Sequence, residues 1–154
     1  MAQTLNGVFL ANYSVDVGQW RHVQGHWNFT DDTGAAAAYT VFTVSGDVLV
    51  TTFGLCQVTV TGAGTIELGI SGNTAAIIAQ ATALDLIQYE TWEDATPTIA
   101  NPATVDIFGG ARQFVIANGA DVILTIGGAG VTAGDIDFHA FWMPLSSDGA
   151  LVAV

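Results

Sequence analysis

An all-β fold, a β-sandwich of jelly-roll type, is what this sequence predicts, and three observations predict it. Apolar and polar residues alternate with period two over most of the chain after Ala35, the pattern of strands with one buried face. Glycine turns at Ser45-Gly46-Asp47, Gly62-Ala63-Gly64, Gly72-Asn73 and Asn118-Gly119 cut that pattern into short segments. Roughly eight such strands with no convincing long helix leave packed antiparallel sheets as the architecture.

Residues 1–33 are rich in Asn, Gln, aromatics and histidine and lack clean alternation, so they are expected to form an N-terminal arm or a leading strand. "TDDTG" at 30–34 offers a hinge, and the sandwich domain is expected to span 34–154. "AAYTVFTVS" and "VLVTTFGLCQVTVT" read as the first strands, and in "TIELGIS" Ile66, Leu68 and Ile70 share one face. In "NTAAIIAQATALDLI" Ile77, Ala81 and Leu84 also fall at helical spacing, but strands on both sides favour an extended segment over 74–87.

"TPTIANPAT" at 96–104 carries two prolines and suits a surface loop. "RQFVIANGADVILTI" reads as a hairpin of Arg112–Ala117 with Asp121–Ile126, because Asn118 and Gly119 tolerate the positive φ of a type I′ turn. The closing strand, Asp135 to Met143, points Ile136, Phe138, Ala140 and Trp142 one way. Its other face starts polar at Asp135, Asp137 and His139 and ends apolar at Phe141 and Met143, as if covered on both sides.

The composition excludes whole classes of partner. A chain of 154 residues is one domain, and it carries 14 carboxylates against two arginines, Arg21 and Arg112, with no lysine. The formal charge of -12 argues against direct nucleic-acid binding and against anionic membrane surfaces. The N-terminus lacks a basic region ahead of an apolar core, and no apolar run is long enough for a membrane span, so synthesis in a cytoplasm is expected. The single Cys56 cannot form an internal disulfide and reads as a buried, inert thiol.

Reactive motifs are weak. His22 and His26 lie four apart, a spacing suited to two metal ligands on a helix, but Gly25 and the neighbouring aromatics disfavour a helix, and no metal is expected. His139 reads as a solvent or interface residue, and "ETWED" at 90–94 as a solvated acidic turn that matches no calcium loop. "GGAGVTA" at 127–133 meets a loose glycine fingerprint, but the residues after it read as a strand rather than the required helix. Ser71 in "GISG" is a turn residue, so neither a cofactor nor a catalytic residue is assigned.

The remaining signal is an excess of apolar surface. With 51% hydrophobic and 10% charged residues, one sandwich cannot hide all its apolar area, so burial between chains is expected. Each 1,000 Å² of apolar area removed from water is worth about 25 kcal/mol before association costs. A closed homo-oligomer, with a trimer favoured, follows.

"GAGTIELGISGNTAAIIAQATALDLIQYETWEDATP", "FVIANGADVILTIGGAGVTAGDIDFHAFWMPLS" and "SSDGALV" together resemble small virion structural proteins of tailed bacteriophages, over about Ala63 to Val152. The resemblance implies a non-enzymatic decoration or cement protein on the capsid surface, with itself and the major capsid protein as partners. The expected contact residues are Trp20, Trp27, Phe141, Trp142, Met143, Leu151, Val152 and Val154. The rival reading is a carbohydrate- or receptor-binding module of a phage fibre or head appendage, in which Trp20, Trp27, Trp92 and Trp142 would supply stacking platforms.

Overall fold

The computed structural model describes residues 19–94, 96, 98–99, 112–117 and 119–154. Its strands in chain order are β1 (Arg21–Asn28), β2 (Ala38–Ser45), β3 (Val48–Thr61), β4 (Gly64–Ile70), β5 (Asn73–Thr82) and β6 (Glu90–Trp92). They continue with β7 (Thr98–Ile99), β8 (Phe114–Ile116), β9 (Val122–Gly128), β10 (Ala133–Pro144) and β11 (Ala150–Ala153). A single-turn helix, α1 (Phe29–Asp32), and a 3₁₀ turn at Ala83–Asp85 are the helical elements among the described residues.

The strands form two antiparallel sheets, and the expected all-β sandwich is what the chain adopts. One sheet runs β1-β10-β3-β6-β7, with β8 on the same side of β3 as β6 but farther toward its start. The other runs β11-β2-β9-β4-β5. Alternation is the cause: Ile136, Phe138, Ala140 and Trp142 of β10 are all buried, as are Ile66 and Leu68 of β4 and Val122, Leu124 and Ile126 of β9. β2 breaks the period, with Val41 and Phe42 both buried, at a register shift against β9 between Thr40 and Phe42.

The core lies between the sheets, and Trp27, Trp92, Phe42 and Phe138 are its largest fully buried side chains. The Trp92 and Phe138 rings sit 6.2 Å apart. Gly54, opposite both in the register, makes room for them: a Cβ there would stand 3.1 Å from Ile136 Cγ2 and 3.4 Å from Trp92. Gly25 allows β1 to approach β2, since its Cβ would stand 2.6 Å from Val41 Cγ1.

Segment 74–87 is extended, as expected, over 74–82 in β5, and then leaves the strand through the 3₁₀ turn at Ala83–Asp85. The hairpin expected across Asn118-Gly119 does not form. β8 pairs with β3 in one sheet, while β9 pairs with β2 and β4 in the other. Gly119 does adopt a positive φ of 68°, but its N–H donates to Gly46 O, and the chain crosses between sheets there. Ile116 and Val122 thus enter the core from opposite sides, so closing the sandwich overrides the local turn preference. Asn118 itself lies outside the described residues, as do most of 96–104.

"ETWED" is likewise not a solvated turn. Glu90, Thr91 and Trp92 are buried in β6, and the Glu90 carboxylate accepts from the Ile87 N–H at 2.8 Å. Within the expected arm, residues 21–28 are strand β1 and pair along their whole length with β10. Residues 1–18 lie outside the described residues. α1 follows β1 at once, its N-cap Asn28 accepting from the Asp31 N–H, which turns the chain near the expected hinge.

Candidate functional site

The site is the outer face of the first sheet, built by three adjacent strands. Register places His22, Gln24, His26 and Asn28 of β1 beside Phe141, His139, Asp137 and Asp135 of β10, and these beside Thr51, Phe53, Leu55 and Val58 of β3. A histidine pair lies at the centre, with His22 Nε2 and His139 Nδ1 3.1 Å apart. The two rings stack at 5.3 Å, His139 stacks on Phe53 at 5.2 Å, and His22 tilts against Phe141 at 4.9 Å. Desolvation, assisted by His22, pulls the His139 pKa below its ordinary value, and Asp137 offsets part of that.

At one end of this row His26 Nδ1 lies 3.0 Å from Asp137 Oδ1 and 3.5 Å from Asp135 Oδ1. Gln57 Nε2 donates to Asp137 Oδ2 at 2.7 Å. Burial pushes the Asp137 pKa up, but hydrogen bonds from His26, Gln24 and Gln57 together hold it below the usual carboxylate range. Asp135 goes the other way: desolvation raises it against the pull of His26, and neighbouring Asp137 adds to the rise. The three ligand atoms lie within 4.8 Å of one another, a spacing that can hold a metal ion. Both His26 ring nitrogens are already engaged, Nδ1 with Asp137 and Nε2 with Asn28 Nδ2 at 3.1 Å, so the group reads as a hydrogen-bonded pair beside a second carboxylate.

At the other end the face turns apolar. Trp20, Thr51, Gln113 and Phe141 line an open pocket of about 350 Å³. Leu49, Phe53, Phe141 and Met143 are half-buried, and Val115 on β8 is exposed. Arg21 sits over the Trp142 ring at 5.1 Å, so one of the two cations is used in packing the edge strand.

The expected contact residues divide sharply. Trp27, Trp142 and Leu151 are core residues, 1%, 5% and 3% exposed. Trp20, Val152 and Val154 are exposed, and Phe141 and Met143 are half-buried on the outer face. Sequence reasoning missed the His22–His139 pair and the partnership of Phe53 with it. The signal was present, since His22, Gln24 and His26 alternate in "HVQGH" as Asp135, Asp137 and His139 do in "DIDFH", but only the register joins the two rows.

No protein-family model matches the chain, and no curated protein matches it. Among solved structures, a chain in the acidic stable capsid structure of Helicobacter pylori bacteriophage KHP30 is similar in fold, with a TM-score of 0.52 and 10% identity over 90% of this chain and 96% of that one. The likeness is one of fold. A chain from Bacillus endospore appendages, a family of disulfide-linked pili, overlaps at a TM-score of 0.37 and 17% identity, over 85% of this chain and 91% of that one.

No helix among the described residues is long and apolar enough to cross a membrane.

Proposed function

We propose that this protein is a non-enzymatic structural component of a phage virion that decorates and stabilises the capsid surface as a homo-oligomer, a trimer in the simplest closed form. The observation that carries the reading is the apolar end of the outer face: Trp20, Leu49, Phe53, Phe141, Met143 and Val115 gather there without a carboxylate among them. On a chain with formal charge -12, an uncharged apolar surface is where a like-charged copy or a shell protein can approach without desolvating carboxylates. The likeness in fold to a chain of a phage capsid structure supports the same direction.

Val152 and Val154 form a second candidate contact at the chain's end, beside Leu151, which β11 inserts into the chain's own core. We read the order β1-β10-β3-β6 facing β2-β9-β4-β5 as a jelly roll, with β11 added beside β2. The carbohydrate-binding alternative loses its platform, because Trp27, Trp92 and Trp142 are buried and Trp20 alone presents a tryptophan ring to solvent.

Sedimentation equilibrium and quantitative mass spectrometry of purified particles test the reading. The expected results are a mass of three times 15.9 kDa and a fixed stoichiometry to the major shell protein. The double variant Trp20→Ser, Phe141→Ser should shift the mass toward monomer while keeping the fold. A monomeric wild type that is absent from particles would reject the proposal.

A further inference from the structure

The His22–His139 contact joins the edge strand β1 to β10, its one sheet neighbour among the described residues, and it does so through two imidazoles, groups able to bind a proton in acid. A hydrogen bond between two imidazoles requires one ring to donate and the other to accept. The pair therefore tolerates one bound proton beyond the neutral state and not two, because a second proton puts N–H against N–H and two cations in stacked rings 5.3 Å apart.

We propose that this pair is an acid-sensitive latch on β1: it holds the Arg21–Gln24 half of the strand while at most one ring is charged, and releases that half once both are.

The surroundings fit a latch that opens from one end. On β3, the side chains facing the pair are Thr51, Phe53, Leu55 and Gln57, all uncharged, so β3 offers no carboxylate to compensate a second proton. β10 supplies Asp137, which is hydrogen-bonded to His26 and only partly favours a proton on His139, and, farther along, Asp135, directed at His26. β1 itself supplies His26 and Arg21, the latter a further cation over Trp142. Beyond Asn28 lie Asp31 and Asp32 of α1, and Arg112 precedes the Gln113 that lines the pocket beside Phe141. The negative charge is thus concentrated at the His26 end, where protonating the ring strengthens its attraction to Asp137. Acid weakens the Arg21–Gln24 half and keeps the His26–Asn28 half in place.

Outward of β1 there is no further strand among the described residues, so releasing its first half disrupts no other pairing. The half that opens follows directly on residues 19 and 20, which places Trp20 and the pocket it lines under control of the same protonation.

Ring-selective NMR titration of the wild type, combined with hydrogen exchange of the β1 amides, tests the latch. The expected outcome is that His22 and His139 titrate in two coupled steps separated by about one pH unit or more. Exchange of the amides in 21–24, corrected for intrinsic chemistry, should accelerate at least about tenfold between pH 7.5 and pH 5, with 26–28 unchanged. His22→Gln should abolish the acceleration and raise the His139 titration toward its ordinary value. Independent single-step titration of the two rings, or equal exchange at both pH values in wild type, would overturn the proposal. The wild-type titration decides it even if the variant fails to fold.

Discussion

His26 Nδ1 lies 3.0 Å from Asp137 Oδ1, which ties the edge strand β1 to β10 across directly paired positions of the register. Asp137 is the better buried partner, its side chain 16% exposed against 47% for His26, and Gln57 binds its second oxygen. The pair matters more for Asp137 than for His26, because losing the carboxylate leaves three donors, His26, Gln24 and Gln57, facing nothing ionised.

Asp137→Asn should therefore cost about 1–2 kcal/mol at pH 7, measured by urea unfolding. The sign with pH follows from the lowered folded-state pKa of Asp137. Its contribution is fully present above the unfolded value of 3.8 and is lost as pH falls through the folded value, so wild type and variant should converge in acid. A constant difference down to pH 2 would mean that the carboxylate charge is not what stabilises the seam.

Gly25→Ala tests how closely β1 approaches the second sheet. The added methyl would stand 2.6 Å from Val41 Cγ1, 2.9 Å from Phe42 Cε1 and 3.0 Å from Val41 O. Overpacking of this kind should destabilise by about 1–3 kcal/mol, read as a fall in the denaturation midpoint without a change in slope. A neutral result would place β1 farther from β2 than described.

Trp92 separates packing from recognition. Truncation to Ala removes a ring that is 0% exposed and should cost about 3–5 kcal/mol. Trp92→Phe keeps most of the volume and removes an indole N–H that has no hydrogen-bond partner among the described residues, so its cost should stay under about 1.5 kcal/mol. Calorimetric unfolding of both variants checks the ratio, and similar losses for the two would point to a role beyond filling space.

Cys56 should resist thiol reagents in the folded protein. Burial pushes its pKa up to about 11, with the nearby Glu90 and Asp135 adding to the effect against backbone hydrogen bonds from Val60 and Val58. At pH 8 the thiolate is therefore scarce and shielded. Labelling with a chromogenic disulfide should be absent in native protein and stoichiometric in denaturant. Rapid native labelling would show that the β3 segment around Cys56 opens easily.

Much of the fold was legible because a strand with one buried face writes its orientation into alternate residues. Ile136, Phe138, Ala140 and Trp142 could be placed on one face of the closing strand from the sequence, and Ile66 and Leu68 on one face of theirs. The buried thiol at Cys56 was expected from the burial habit of a lone cysteine, not from alternation, since Val58 two residues on is exposed. Where the local signal named a partner rather than a face it failed: Asn118-Gly119 promised a hairpin, but β8 and β9 found partners in different sheets. "ETWED" failed for a related reason, since three carboxylates suggest water, whereas pairing of Thr91 and Trp92 with Leu55 and Gly54 draws the segment inward.

The sequence by itself determined the class of the fold, the acidic net charge, and which residues of each strand share a face, because composition and period two are properties of single segments. Only the tertiary structure decided which rows meet. It brought His22 to His139 and His26 to Asp137, and it drew Trp27, Trp142 and Leu151 into the chain's own core while leaving Trp20, Val152 and Val154 outside. The physical reason is that strand register and sheet assignment are set by how two whole sheets close over one core, and no individual segment contains that information.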